Sequence, residues 1–220
     1  MPRRKVSNPL ALAVLSCLAE RPMHPYEMST TMRERGKHES IKLNYGSLYS
    51  VVESLQKHGL IAPRETVKDG RRPERTVYEV TSAGRLEFVD WLAELIGTPA
   101  KEYPTFEAGL SLIGGLPPDD AVRLLQQRAA LLRSQLHGGA ELERYAKELG
   151  VPQLFLVEAD YRRGQIEAEI EFVDKLAASI ADGSLDGVDY WRRIHEQDAA
   201  GEEVTPFRLP GEKAEEAETS

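Results

Sequence analysis

The residues best suited to chemistry are cationic, and they crowd one predicted turn. Lys68, Arg71, Arg72 and Arg75 surround Asp69-Gly70, a dipeptide typical of a tight β-hairpin. An exposed cationic hairpin tip has no role in core packing, whereas Lys and Arg side chains neutralise nucleic-acid phosphates. We interpret the tip as a wing that contacts the DNA backbone or a narrow minor groove, with a merely soluble turn as the alternative.

A second candidate surface lies on the helix before this hairpin. Asn44 is predicted to cap it, and His58-Gly59 to end it. Its inward face comprises Leu48, Val51, Val52 and Leu55, and its outward face comprises Gly46, Ser47, Ser50, Ser54 and Lys57, with Tyr49 at the flank. Small polar side chains near a helix N-terminus permit close approach to phosphates and base edges. An ordinary solvated helix face is the competing interpretation.

The elements that would position these surfaces follow one order: three helices, a hairpin and a fourth helix. The predicted helices begin at Asn8-Pro9, at Pro25, at Asn44 and at Thr81 or Ser82, the second runs to about Arg35 before Gly36, and the strands span Leu60–Val67 and Arg75–Val80. Leu86, Val89, Leu92 and Ile96 lie on the fourth helix. This is the element order of a winged helix, and we expect residues 1–96 to form a DNA-binding domain.

The remainder of the chain predicts a helical dimerisation domain over residues 103–200. After a short helix at Tyr103–Leu112, apolar residues alternate spacings of three and four as in a coiled coil, with an interruption at Gly138-Gly139. A second long helix is expected from Pro152 to about Ile180, antiparallel to the first, and a shorter one at Val188–Gln197. The residues expected at a dimer interface are Leu12, Leu15, Leu125, Leu132, Leu154, Tyr161, Phe172 and Leu176. The expected fold class is therefore mainly α with a small β-hairpin.

Charge and cysteine content agree with this division. The net charge is −8, but residues 1–96 hold 15 Lys and Arg against 12 Asp and Glu, while residues 97–220 hold 13 against 24. The acidic end, residues 201–220, is expected to be disordered. The lone Cys17 excludes an intrachain disulfide, and no apolar run is long enough for a membrane span. We expect a cytoplasmic, nucleoid-associated protein without a membrane partner.

Four motifs in order make residues Leu10 to Trp91 resemble PadR-family regulators. They are His24-Pro25-Tyr26-Glu27, then Tyr45-Gly46-Ser47-Leu48-Tyr49 with Leu55 and His58-Gly59-Leu60-Ile61, then Gly70-Arg71-Arg72-Pro73-Glu74-Arg75 with Tyr78, and Thr81-Ser82-Ala83-Gly84-Arg85. The chain departs from the usual family pattern with Pro25 in place of Gly and Tyr45 in place of Pro. Its helical remainder resembles that of longer members, including the virulence-activator branch.

The resemblance implies a homodimeric regulator, usually a repressor, bound to an inverted-repeat operator in double-stranded DNA. It adds Tyr26, Asn44 and Tyr45 to the expected DNA-binding residues. Some relatives sense aromatic or multidrug-like molecules through their C-terminal helices. Tyr161, Tyr190 and Trp191 are the candidates for such an effector site, although aromatic residues at helical spacing are more often core.

Other classes of function fit less well. The histidines are scattered and the one cysteine lies on a core-facing stripe, so a metal sensor is not expected. The Gly114-Gly115 pair lacks the residues of a phosphate-binding loop, and the alternating charges of Glu167–Glu171 fit a solvated helix face, so we expect neither an enzyme nor a cofactor. The serious rival is a winged-helix adaptor that binds protein rather than DNA.

Overall fold

The computed structural model of this 220-residue chain describes residues 8–67 and 75–203. The chain divides into two compact units, with the boundary between Lys101 and Glu102. The described residues are mainly helical and contain one antiparallel two-stranded hairpin, which confirms the predicted fold class. No helix within these residues is both long and apolar enough to cross a membrane. The expected acidic tail lies outside the described residues from 204 onward.

The N-terminal unit has the element order that the sequence predicts. It contains α1 (Pro9–Glu20), α2 (Pro25–Glu34), α3 (Tyr45–Lys57), β1 (Ile61–Val67), β2 (Arg75–Val80) and α4 (Ser82–Gly97). Local capping sets several of these boundaries. The Asn8 side chain accepts a hydrogen bond from the Leu10 N–H at 3.0 Å, and the Thr81 hydroxyl accepts one from the Gly84 N–H at 3.0 Å. Gly36 follows α2 with φ of 68°, a left-handed conformation that ends a helix without steric cost.

The core of this unit is built around α1. Leu10, Val14 and Leu18 have 0–1% exposed surface and recur at helical spacing, so one stripe of α1 is fully enclosed. The predicted inward residues of α3 are also buried, and they pack in the same cluster. α1 is covered on more than this one stripe, because Leu15 is equally buried.

The hairpin is extended by a residue from the α1–α2 connection. Met23 and Tyr78 exchange both backbone hydrogen bonds, at 3.1 and 3.0 Å, so β2 is bordered by β1 on one side and by Met23 on the other. In β1 the register shifts between Pro63 and Glu65, which is the signature of a β-bulge at Arg64. The bridge at Met23 joins residues distant in the chain, and the sequence pattern gives no local sign of it.

The start of α4 approaches the start of the hairpin closely at Gly84. A Cβ atom placed on Gly84 would lie 2.0 Å from the Leu60 carbonyl oxygen and 2.8 Å from a Val80 methyl carbon. The same carbonyl accepts a hydrogen bond from the Thr81 N–H at 3.1 Å. The absence of a side chain at Gly84 is therefore what allows α4 to dock here.

The C-terminal unit contains α5 (Thr105–Ser111), α6 (Pro118–Glu148), α7 (Val157–Ala181) and α8 (Val188–Ala200). Two expectations are wrong. α6 continues through Gly138 and Gly139 without interruption, because the long helix on both sides offsets a cost of about 1 kcal/mol for each glycine. α7 begins at Val157 rather than at Pro152, because Gln153–Phe155 forms a separate 3₁₀ turn.

The two long helices pack against each other through small and medium apolar residues. The buried set comprises Ala121, Leu125 and Ala129 of α6 with Val173, Ala177 and Ile180 of α7. Ion pairs link the helices as well. Arg128 reaches Glu169 at 2.5 Å, and Arg163 reaches Glu143 at 2.7 Å near the connection between the helices. Because the connection is short and contacts run along both helices, the pair is an antiparallel hairpin, as predicted.

Candidate nucleic-acid interface

The N-terminus of α3 is fixed by a side-chain cap. The Asn44 Oδ1 atom accepts a hydrogen bond from the Ser47 N–H at 2.7 Å, so this side chain holds the first turn. The N–H groups of Tyr45 and Gly46 precede the first intrahelical hydrogen bond and face the helix N-terminus. Partial positive charge therefore accumulates at this end of α3, where an anionic ligand is stabilised.

The outward face of α3 is small and polar, as the sequence predicts. Gly46 and Ser50 are exposed, Ser47 is half-buried, and Tyr49 has 45% of its surface exposed. The Ser50 hydroxyl donates to the Gly46 carbonyl oxygen at 3.1 Å, which turns its hydrogen toward the helix and leaves its lone pairs available. The sequence analysis missed Glu53, which is exposed on the same face and can accept a hydrogen bond.

An aromatic–cationic cluster of Tyr26, Arg33 and Tyr45 adjoins this helix end. The two tyrosine rings are stacked with centroids 6.3 Å apart, and the Arg33 guanidinium carbon lies 5.7 Å from the Tyr45 ring centroid. His24 shapes the cluster by accepting a hydrogen bond from the Tyr26 N–H at 3.1 Å. Tyr26 and Tyr45 are 57% and 46% exposed. The sequence analysis missed Arg33, because only the fold brings the last turn of α2 beside Tyr45.

The predicted basic wing lies only partly within the described residues. Lys68, Arg71 and Arg72 are outside them, and for Arg75 the structure describes the backbone alone, paired with Val67. The paired strands β1 and β2 lead directly into and out of the segment that carries these cations. The wing side chains therefore remain predictions from the sequence.

The residues expected at a dimer interface fall into two groups. Leu15, Leu125 and Leu132 are buried within a single chain, at 0–8% exposure, and Leu12 and Leu176 are half-buried in the same cores. Their surfaces are therefore largely occupied by their own unit. Leu154, Tyr161 and Phe172 are exposed at 73%, 69% and 48%.

The residues considered for an effector site are not brought together within one chain. Trp191 packs in the cluster that contains Ile180, near the end of α7, and its ring nitrogen donates to the Leu116 carbonyl oxygen at 2.8 Å. Tyr161 lies in the first turns of α7, about 28 Å away along the helix axis at 1.5 Å per residue. Tyr190 lies beside Arg193, with 6.0 Å between guanidinium carbon and ring centroid.

Neither a metal site nor a reactive thiol emerges from the described part of the chain. Within residues 8–67 and 75–203, no group of three or more His, Cys, Asp or Glu side chains is placed to hold a metal ion. Cys17 is buried, and this burial raises the pKa of its thiol above the usual range. A raised pKa disfavours the thiolate, which is the nucleophilic form.

Comparison with known proteins gives a family match for the winged helix. Residues 14–90 match the Transcriptional regulator PadR-like family. No curated protein matches the chain significantly. Among solved structures, Bacillus subtilis PadR in complex with operator DNA has 19% identity and a TM-score of 0.62, covering 78% of this chain and 98% of that one.

Two further solved structures have a similar fold. Bacillus subtilis PadR in complex with p-coumaric acid has 16% identity and a TM-score of 0.62, covering 77% of this chain and 96% of that one. The Vibrio cholerae virulence activator AphA has 16% identity and a TM-score of 0.60, covering 79% and 98%. At these identities the structures establish the shared fold. Together with the family match over residues 14–90, they show that this chain carries a PadR-like winged helix within a PadR-like fold.

Proposed function

We propose that this protein is a sequence-specific DNA-binding transcriptional regulator that inserts α3 into the major groove. The observation that carries the proposal is the exposed N-terminal turn of α3, capped by Asn44 and bordered by the aromatic–cationic cluster. A B-DNA major groove about 12 Å wide admits an α-helix. Ser47, Ser50 and Glu53 are the side chains on this face that can exchange hydrogen bonds with base edges.

The aromatic–cationic cluster suits the DNA backbone beside the groove. Tyrosine hydroxyls and arginine guanidinium groups are common phosphate ligands, and they fix the orientation of the reading helix. Stacking of Tyr26 on Tyr45 limits the freedom of both rings, so less entropy is lost when they bind. The basic wing, with Lys68, Arg71, Arg72 and Arg75, would reach the next groove. The Bacillus subtilis PadR complex with operator DNA supports the use of this fold on DNA.

We further propose that the protein is a homodimer that recognises an inverted repeat and acts as a repressor. The support lies in a tip patch of exposed apolar residues around the connection between α6 and α7. Its members are Leu142, Tyr145, Leu149, Leu154, Phe155, Val157 and Tyr161, each at least 56% exposed. A concentration of exposed apolar residues of this kind is typical of an interaction site. A second copy would bury it and present two winged helices to half-sites one helical turn apart.

An effector is the last part of the proposal. A small aromatic or hydrophobic molecule would bind the C-terminal helices and release the DNA. The PadR complex with p-coumaric acid supports the idea that this fold accommodates such a molecule. The competing function is a protein-interaction adaptor that uses the winged helix without touching DNA.

Charge removal tests DNA binding against the adaptor function. The double variant Arg71→Ala/Arg72→Ala should bind duplex DNA of any sequence more weakly, because two phosphate contacts are lost. The slope of log affinity against log salt should fall by about one unit for each contact, about two in all. Arg33→Ala should reduce the slope by about one unit. Gel shifts on random-sequence duplexes at several salt concentrations measure these slopes without knowledge of the operator.

The matched control is the double variant Arg123→Ala/Lys175→Ala. Each residue forms an exposed ion pair within its own C-terminal helix, with side chains 64% and 74% exposed, and neither belongs to the winged helix or to the tip patch. This variant carries the same change in net charge and should bind DNA as the unaltered protein does. If the wing variant and the control have equal affinities and slopes, the wing does not contact DNA. Failure of the unaltered protein to bind any duplex would favour the adaptor.

A further inference from the structure

An apolar cavity of about 250 Å³ lies within the C-terminal unit, between α5 and the first half of α6. Its principal walls are Phe106, Leu110, Ile113, Leu116, Leu124 and Leu125. Gly109, Ala121 and Arg128 also line it. None of the residues considered above for an effector lines this space. A cavity of about 150 Å³ lined by Leu, Ile and Phe is large enough for benzene, so this one has room for a substituted ring.

Hydrogen bonds from α8 hold one wall of the cavity in place. The Trp191 ring nitrogen donates to the Leu116 carbonyl oxygen at 2.8 Å, and the His195 Nε2 atom lies 2.8 Å from the Gly114 carbonyl oxygen. Both carbonyls belong to the turn between α5 and α6, which contains the 3₁₀ helix Ile113–Gly115. Because this wall is tied to a third helix, the cavity is preformed and a ligand need not order it.

The one charged group at the cavity is already neutralised. The Arg128 guanidinium carbon lies 3.7 Å from the Phe106 ring centroid, so the cation covers the face of that ring. Its Nε and Nη2 atoms both lie 2.5 Å from the Glu169 Oε1 atom. An anionic ligand would have to compete with Glu169 for the guanidinium and would also bring a charge into apolar surroundings.

We propose that this cavity binds a small uncharged apolar molecule, of the size of an alkyl-substituted benzene or a short hydrocarbon chain. The walls supply apolar contact, Arg128 closes the side next to Phe106, and no wall offers a partner for a ligand charge. This assigns a site and a ligand class to the effector proposed above, and the binding itself can be tested without DNA. Only its consequence for DNA affinity rests on that function.

The test uses two ligands of matched shape. p-Xylene and p-toluate differ by the replacement of one methyl group with a carboxylate. With the full-length protein labelled at Ile and Leu methyl groups, p-xylene should shift the NMR signals of Ile113, Leu116 and Leu124 saturably, and leave those of Leu142 and Leu154 unchanged. p-Toluate should bind at least about tenfold more weakly, because burial of an unpaired charge costs more than 1.4 kcal/mol.

Gly109→Leu places a larger side chain at the border of the cavity, and Gly139→Leu is its control. A Cβ atom at either glycine meets no other atom within 4 Å, and both positions are helical, so both variants should fold. Only Gly109 borders the cavity, so Gly109→Leu should abolish the p-xylene shifts and Gly139→Leu should keep them. The proposal is overturned if p-xylene causes no saturable shift, if p-toluate binds as tightly, or if Gly109→Leu binds normally. Because no DNA is present, none of these outcomes bears on the DNA-binding proposal.

Discussion

Because α4 docks closely on the hairpin at Gly84, this is the position where the addition of one methyl group should lower the free energy of unfolding most. In Gly84→Ala the new Cβ atom would lie 2.0 Å from the Leu60 carbonyl oxygen, far inside van der Waals contact. The obstacle is backbone and cannot rotate away. Either α4 or the start of the hairpin must move by more than about 1 Å, because ordinary contact begins at about 3.4 Å.

Three opposing contributions set the size of the effect. Overpacking of this kind costs about 1–3 kcal/mol. The movement also weakens the hydrogen bond from the Thr81 N–H to the Leu60 carbonyl, which contributes about 1 kcal/mol. Replacement of Gly by Ala also lowers the conformational entropy of the unfolded chain, and this stabilises the folded state by about 0.4–1 kcal/mol. The free energy of unfolding of the N-terminal unit should therefore fall by about 1–3.5 kcal/mol.

Guanidinium denaturation measures this change when one tryptophan is followed. Trp91 is 4% exposed and belongs to the N-terminal unit, so Trp191→Phe serves as the common background. Gly97→Ala is the control, because it lies at the end of α4 with no atom within 4 Å of its new Cβ. Gly84→Ala should lower the midpoint and Gly97→Ala should leave it unchanged or raise it slightly. Equal midpoints for the two variants would refute the argument from close approach.

Two further predictions concern the C-terminal unit. Leu154→Lys should weaken self-association at least about tenfold in sedimentation equilibrium, because it places a charge in the tip patch. Leu112→Lys is the control, because Leu112 is equally exposed but lies outside the patch. If both variants dissociate to the same extent, the tip patch is not the dimer interface. The hydrogen bond from Lys147 and the charge of Arg163 lower the pKa of Glu143 in the folded protein. The ionised Glu143 carboxylate therefore stabilises the folded state above its unfolded pKa of about 4.3, and this contribution is lost as pH falls through the lower folded pKa. Urea denaturation followed at Trp191 should therefore show Glu143→Gln losing less stability than the unaltered protein between about pH 5 and pH 3, and parallel pH profiles would contradict this assignment.

The features that sequence predicted well are those with local causes. Asn44 and Thr81 cap helices because their side chains reach a backbone N–H three residues along. The inward face of α3 follows from helical spacing alone, and Gly36 ends its helix through its own backbone freedom. None of these requires knowledge of what packs on the element. The candidate DNA-binding face of α3 could therefore be located before its neighbours were known.

The features that sequence did not predict depend on which elements meet. On α4 the apolar residues Leu86, Val89 and Ile96 are exposed, and Trp91 makes the core contact instead. Their spacing alone could not tell which face would be covered. Arg33 joined the candidate site because the fold places it over Tyr45. The sequence predicted a break at the glycines within α6, because local helix propensity takes no account of the stabilisation that the rest of a 31-residue helix provides.

The pair of hydrogen bonds between Met23 and Tyr78 has a kinetic consequence. They join the α1–α2 connection to a strand about 55 residues later, so the sheet of the winged helix closes only after most of the domain has been made. Long-range closure of this kind slows folding, since chain entropy is lost before the contacts form. It also means that β2 is not a free edge along its whole length, which removes part of a template for strand-to-strand aggregation. The helices that precede the hairpin and the hairpin itself should accordingly unfold as one cooperative unit rather than in succession.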